Sequence, residues 1–449
     1  MTFQQILFSV KYGLYRPQTA KAHREYASNQ YLSKDELDQI NWTKRKKILK
    51  HAYANIPFYR ERWTSVGIHP DEIKKPEDYS QIPRLSKCDL KDHFDKLKDS
   101  SVQSKFLVVT ATGGSTGMPV KVGHDSRLPL EAHGWRMLGW WGVKPYMNAA
   151  YVWRVGQANL GLKGILNSTL WWPTRRIRMD ASNMQQSDVE EFILKFNLLN
   201  PPILQGYTGA IAHIASVVRQ KNLWVKFPKA IWVTSSPVSK VQRQLIEEVF
   251  HAPVYDQYGS CEIPWISAQC AERKGLHINY ESRFVEYLDQ ENKPVKQGVS
   301  GRIVITDLED YVFPLIRYEI GDMGRELPDP CTCGVTLPMM DQVLGRTTDL
   351  VHLPNGSCIS GDYLTTVFDD YPDAVRGFQV FQSADGKITI RYVPNPDDPR
   401  VRDIIKKVTY EIGKRVNSEV EVNAQALPEI PHDRGKLRFV ISELDREGK

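Results

Sequence analysis

Six cysteines in 449 residues are too few for the disulfide framework of a small secreted domain, so a reducing cytoplasm is the expected setting. Charge of one sign is also scarce: 59 Lys and Arg against 53 Asp and Glu leave a net +6, too weak a bias at this length to imply a nucleic-acid partner. The only dense basic run, Lys44-Arg45-Lys46-Lys47, sits inside a helical pattern and reads as a solvated helix face. The longest uncharged stretch, Phe196 to Val218, is interrupted by Asn200-Pro201-Pro202 and Gln205, so it reads as a turn and a soluble helix rather than a transmembrane segment. The apolar run Ile6 to Val10 is too short for a signal-peptide core, although the N-terminal aromatic and basic residues leave surface attachment open. Neither a Walker A loop nor a GxGxxG fingerprint is present.

What is present is alternation of strand and helix signals. Residues 1–100 are helical and charged, with a capping box at Ser33-Lys34-Asp35-Glu36 that opens a helix running to Tyr53 and breaking before Pro57. Phe106-Leu107-Val108-Val109 and Ala230-Ile231-Trp232-Val233 read as apolar strands, with helical patterns at Ala210 to Val218 and Leu245 to Phe250. This argues for an α/β core with parallel pairing. From about Tyr280 the texture changes to an antiparallel addition, Phe284 to Tyr287 and Gly301 to Ile305. The last hundred residues read as a small α+β unit. They comprise a strand at Lys387 to Val393, an apolar helix face from Val401 to Val416, alternation at Val420 and Val422, and a strand at Leu437 to Ile441. The expected organisation is a large multi-layer domain of sheets packed with helices, residues 1–346, and a small mobile α+β domain, residues 347–449.

The most informative stretch is Thr110-Ala111-Thr112-Gly113-Gly114-Ser115-Thr116-Gly117-Met118-Pro119, directly after a strand. Glycines let backbone N–H groups approach an anion, and hydroxyls add donors, so the loop suits phosphates; a plain surface turn is the alternative. Downstream lie Tyr258-Gly259-Ser260-Cys261-Glu262, Arg317-Tyr318-Glu319-Ile320-Gly321-Asp322, Gly345-Arg346 and Gly435-Lys436. In this order the motifs resemble the adenylate-forming (acyl- and aryl-CoA synthetase) superfamily, and within it the phenylacetate–coenzyme A ligase branch of capsule-biosynthesis type.

The resemblance implies ATP-dependent activation of a carboxylic acid as an acyl-adenylate, then transfer to coenzyme A. Transfer to an amine in polysaccharide or natural-product synthesis, or a non-catalytic nucleotide-binding homologue, are the alternatives. It implies that Thr112, Gly113, Gly114, Ser115, Thr116 and Gly117 hold the β- and γ-phosphates. Ser236 and the segment Asp256-Gln257-Tyr258-Gly259 would flank adenine, Asp322 would accept the ribose hydroxyls, and Arg346 would lie nearby. Glu262 would stand near Mg²⁺, and Lys436 would neutralise charge at the α-phosphate, a task suited to a compact ammonium. The family's hinge aspartate is replaced here by Thr348.

Cys270, His277, Cys331 and Cys333 supply three thiols and one imidazole, a donor set for tetrahedral structural Zn²⁺; incidental cysteines are the alternative. Six tryptophans between Trp135 and Trp172 would suit an aromatic or other flat acid, or plain core packing. Arg154, Arg175, Arg176 and Arg178 add positive charge that would meet an acidic group or solvent.

Overall fold

The computed structural model describes residues 2–111, 121–153, 171–181, 184–343, 350–354, 358–360, 368, 371, 375–396, 398–416, 420–430 and 440–444. Contacts divide the chain into two units. One comprises residues 1–238, 242–320 and 325–342; the other comprises 239–241, 321–324 and 343–449. The architecture is α/β, with large sheets packed by helices.

The first unit is organised by a nine-stranded sheet whose parallel part runs, in spatial order, Arg176–Asp180, Ala149–Trp153, Ile203–Tyr207, Ala230–Thr234 and Val254–Tyr258. Parallel strands are covered on both faces and so read as unbroken apolar runs. The pleat sorts them cleanly. Ala150, Val152, Leu204, Ile231, Val233 and Val254 join the core under helices Gln186–Leu199, Thr208–Gln220 and Lys240–Phe250. Ala149, Ile203, Ala230, Trp232 and Tyr255 face Met137 and Trp141 on the other side. The sheet then turns antiparallel through Ser267–Gln269, Leu276–Ile278, Met339–Met340 and Glu326–Leu327.

The capping box forms as read: Ser33 caps a helix spanning Lys34–Asn55, with Glu36 returning to the Ser33 backbone. Its basic run is not a uniformly solvated face. Arg45 is buried and its guanidinium lies 3.9 Å from the Phe284 ring centroid, so planar stacking replaces the missing water. Two strand readings also change. Phe106–Val109 is no buried parallel strand; Leu107–Ala111 pairs antiparallel with Lys121–Asp125 alone, and Val108 and Val109 are exposed. Within Phe196–Val218, a strand at Ile203–Tyr207 lies between turn and helix. Asn200 takes the left-handed conformation that ends the preceding helix, and the prolines lead directly into the strand.

An antiparallel sheet of Arg283–Leu288, Gly301–Asp307 and Tyr318–Gly324 follows, as expected from the change in texture. The second unit holds a four-stranded sheet in which Val375–Gln382 and Ile388–Pro394 are antiparallel neighbours. Val440–Ser442 and Val422–Ala426 add on in parallel at the two edges. Helix Val401–Arg415 buries Val401, Ile404, Ile405, Val408 and Ile412 against it.

Candidate functional site

The order of the parallel strands places a topological switch between Ala149–Trp153 and Ile203–Tyr207. The chain leaves Ala149–Trp153 to one side to form Arg176–Asp180, then returns to its other side. In open α/β sheets, ligands bind outside the carboxyl ends of the strands at such a point. The last residues of these two strands, Trp153 and Tyr207, are stacked with ring centroids 4.6 Å apart and planes 12° from parallel. The next two carboxyl ends carry Ser235-Ser236-Pro237, which holds the expected Ser236, and the motif Tyr258-Gly259-Ser260-Cys261-Glu262.

Local hydrogen bonds fix these segments. Thr208 Oγ1 donates to the carbonyls of Ser236 at 2.7 Å and Thr234 at 3.1 Å, and Ser235 holds φ +79°, which turns the chain sharply. Ser236 itself is exposed. Ser260 Oγ accepts from the N–H groups of Glu262 at 3.1 Å and Ile263 at 3.0 Å. Gln257 is buried; its Oε1 accepts from Thr234 Oγ1 at 2.8 Å, and its Nε2 donates to the Tyr258 carbonyl at 2.6 Å. Asp256 is buried and accepts from Gln342 Nε2 at 3.1 Å, while its N–H donates to Gln269 at 3.0 Å. Burial pushes its carboxyl up to about 6, against the pull of Arg243.

Gly259 is forced by space. A Cβ there would lie 2.9 Å from both the Trp265 backbone nitrogen and Gln257 Nε2. Gly259→Ala is therefore expected to destabilise by about 1–3 kcal/mol through backbone displacement, read as a lower denaturant midpoint.

Glu262 is buried and accepts from the Tyr318 hydroxyl at 3.2 Å. The two motifs, 56 residues apart, thus meet through Tyr318, while Arg317 points elsewhere and pairs with Glu286 at 2.8 Å. Asp322 is half-buried on the strand Tyr318–Gly324. Two supporting residues were not named for the site from the sequence. Tyr318 stands within a motif, where only its neighbour Asp322 was given a role. His124 donates from Nε2 to the Cys261 carbonyl at 2.8 Å, holding the peptide just before Glu262. Behind it, burial and the neighbouring Asp307 push the Asp310 carboxyl up to about 7. Thr112, Gly113, Gly114, Ser115, Thr116, Gly117, Arg154, Arg346, Thr348 and Lys436 lie outside the described residues.

The aromatic region divides. Trp135 and Trp171 pack with Phe8 and Tyr12, and Trp141 stacks on Tyr255 with centroids 5.0 Å apart, so these serve the core. Arg176 lies over the Trp171 ring, a packing role rather than a free phosphate contact.

A second cluster lies on the antiparallel end of the sheet. Pairing of Met339 with His277 and Met340 with Leu276 draws the segments around residues 270 and 330 together. The donor atoms of Cys270, His277, Cys331 and Cys333 all fall within 4.8 Å of one another. Cys270 and Cys331 sulfurs are 3.6 Å apart. Two sulfurs each about 2.3 Å from a tetrahedral zinc would be separated by roughly 3.8 Å. His277 Nδ1 lies 3.0 Å from the Leu337 carbonyl, so it donates there and turns the Nε2 lone pair toward Cys333 Sγ, 3.4 Å away. Burial pushes the Cys270 thiol up to about 12, which a bound divalent cation would reverse. The donor set, its spacing and the fixed tautomer fit zinc.

Comparison with known proteins places this geometry. Residues 351–443 match the family model of the CapK C-terminal domain. Phenylacetate-coenzyme A ligase of Thermus thermophilus is 25% identical over 88% of this chain and 87% of its own length. Protein CapK of Staphylococcus aureus is 23% identical over 98% of this chain and 97% of its own. A solved 2-hydroxyisobutyryl-CoA ligase, captured in the postadenylation state, superposes with a TM-score of 0.77 at 19% identity, covering 93% of this chain and 92% of that one. Along nearly its whole length the chain is thus similar to phenylacetate-coenzyme A ligases and to CapK, and these likenesses support the phenylacetate–coenzyme A ligase-like, CapK-type branch of the adenylate-forming ligases.

Proposed function

We propose that this enzyme joins a carboxylic acid to AMP at the expense of ATP and passes the acyl group to the thiol of coenzyme A. A carboxylate oxygen attacks the α-phosphorus and pyrophosphate leaves; the thiolate then attacks the acyl carbon and AMP leaves. The observation that carries the reading is the carboxyl edge of the parallel sheet. Its switch point bears a flat aromatic pair, and two strands away Glu262 is held by Tyr318 and the Ser260 turn. A buried carboxylate fixed in this way suits a magnesium ion that neutralises phosphate charge. The remaining assignments follow the family order. The glycine-rich loop Thr112 to Gly117 takes the β- and γ-phosphates, Ser236 and Tyr258-Gly259 flank adenine, and Asp322 accepts the ribose hydroxyls with Arg346 nearby. Lys436 meets the α-phosphate, and Thr348 stands at the hinge between domains 1–346 and 347–449. Trp153 and Tyr207 favour a flat, aromatic acid. Zinc in the Cys₃His cluster would be structural, since four protein ligands leave no open position.

No described helix is long and apolar enough to cross a membrane, and Cys88, Cys261, Cys270, Cys331 and Cys333 are thiols outside any disulfide, which suits a reducing cytoplasm. The test is ATP–pyrophosphate exchange across a panel of carboxylic acids, followed by product analysis with coenzyme A. Exchange dependent on one acid class, with thioester formed, is the expected result. An amide product with an added amine would redirect the second step, and no exchange with any acid would leave only a nucleotide-binding homologue.

A further inference from the structure

The helix Phe3–Tyr15 is apolar on two opposite sides. One side buries Phe8 and Tyr12 against Trp135 and Trp171. The other presents Phe3, Ile6, Val10 and Leu14, spaced three and four residues apart, which at about 100° per residue fall within one narrow stripe. These side chains are 69%, 48%, 52% and 72% exposed. Trp172, 57% exposed, extends the stripe by meeting the Phe3 ring edge-on at 6.4 Å, and Tyr15 is exposed at the helix end. Helices of soluble proteins do not ordinarily leave such a face in water, and contiguous exposed apolar surface marks a docking site.

The charges beside it name the occupant. Between Thr2 and Arg24 the chain has Lys11, Arg16, Lys21 and Arg24 but neither Asp nor Glu. Lys11 Nζ donates to the Trp172 carbonyl at 2.8 Å, placing a cation at the stripe's border. Arg175 and Arg178, both exposed, follow Trp172 on the adjoining segment. Glu25 follows directly after Arg24, beyond the stripe, and Glu131, beside the helix's buried face, is engaged by the Tyr12 hydroxyl at 3.3 Å. A second protein copy would bring the same cations against themselves, whereas an anionic surface with an apolar interior complements both features.

We propose that this helix lies in the interface of an anionic lipid bilayer, with Phe3, Ile6, Val10, Leu14 and Trp172 in the headgroup–acyl boundary and the basic residues on the headgroups. The protein is attached to the surface and not spanning it. Its apolar buried face keeps it docked on the enzyme, so lipid contact needs no unfolding.

The test is flotation of the full chain with vesicles of phosphatidylcholine alone or mixed with phosphatidylglycerol. Binding is expected only to the anionic vesicles and is expected to weaken with salt. Val10→Ser with Leu14→Ser should lower it at least about 10-fold, since two apolar anchors are lost. Arg16→Glu with Lys21→Glu should lower it by about 20-fold or more, each charge being worth roughly 1 kcal/mol near such a surface. All four positions are exposed, so melting temperature and pyrophosphate exchange should not change. Equal binding to neutral vesicles, absence of binding to anionic ones, or a dimer in solution that the Val10→Ser, Leu14→Ser pair dissociates would each overturn the proposal.

Discussion

Lys436→Ala is expected to lower ATP–pyrophosphate exchange by about 10²–10³-fold, the range seen when one preorganised group is removed from a developing oxyanion. The reasoning is electrostatic. In the transition state, charge builds on the non-bridging oxygens of the α-phosphate, and a compact ammonium can approach one of them as a point charge. Alanine leaves that charge to water. Lys436→Arg should recover only part of the loss, because the planar guanidinium cannot occupy the same point. The stretch His432-Asp433-Arg434-Gly435-Lys436 is polar in sequence, and the melting temperature of either variant is expected to stay within a few degrees of the parent. A Lys436→Ala enzyme that exchanges pyrophosphate at near-parental rates would remove the lysine from the mechanism, whatever its other properties.

The contrast between Lys436 and Glu262 shows which parts of the site the sequence could carry. Glu262 was a motif letter whose neighbours could be named only from coordinates. Its partner, Tyr318, comes from a strand 56 residues on, and His124 reaches the preceding carbonyl from a hairpin 137 residues back. Periodicity contains no information about such pairings. Local rules did better where one interaction dominates. The Ser33–Glu36 box satisfies its own helix end, and Ala230–Thr234 is buried throughout, apolar but for its last residue, because the sheet is covered on both faces. They failed where two signals compete. In Ile203–Tyr207 the preceding prolines and Gln205 resemble a turn, yet the strand needs only a left-handed Asn200 to enter the sheet. Leu107–Ala111 has strand composition, but composition does not say whether a strand joins the main sheet or a lone hairpin. Arg45 resembled its exposed neighbours until Phe284 supplied a stacking partner from the antiparallel addition.

Loss of one cysteine from the Cys270–His277–Cys331–Cys333 cluster is expected to act on stability before catalysis. Structural zinc contributes folding free energy directly, because the assembled donor set does not exist in the unfolded chain. Here the ligands join two segments that otherwise meet through the short pairing of Leu276–Ile278 with Met339–Met340, a ladder of few hydrogen bonds. Cys331→Ser or Cys333→Ser should therefore remove the bound metal and cost about 3 kcal/mol or more, lowering the melting temperature by several degrees. His277→Gln should do the same, while Leu337 offers the cluster only its carbonyl, its side chain being buried in the core with Leu37 and Val335. Elemental analysis of the parent should give one zinc per chain, and a strong chelator should reproduce the variants' melting temperature. Exchange activity measured below that temperature should change far less than in Lys436→Ala, since a closed tetrahedral ion has no position to offer a substrate. A parent chain that is metal-free as purified and melts identically with and without chelator would show that the four side chains are merely packed together. In that case the thiol raised to about 12 at Cys270 would be its resting condition, not the mark of a missing cation.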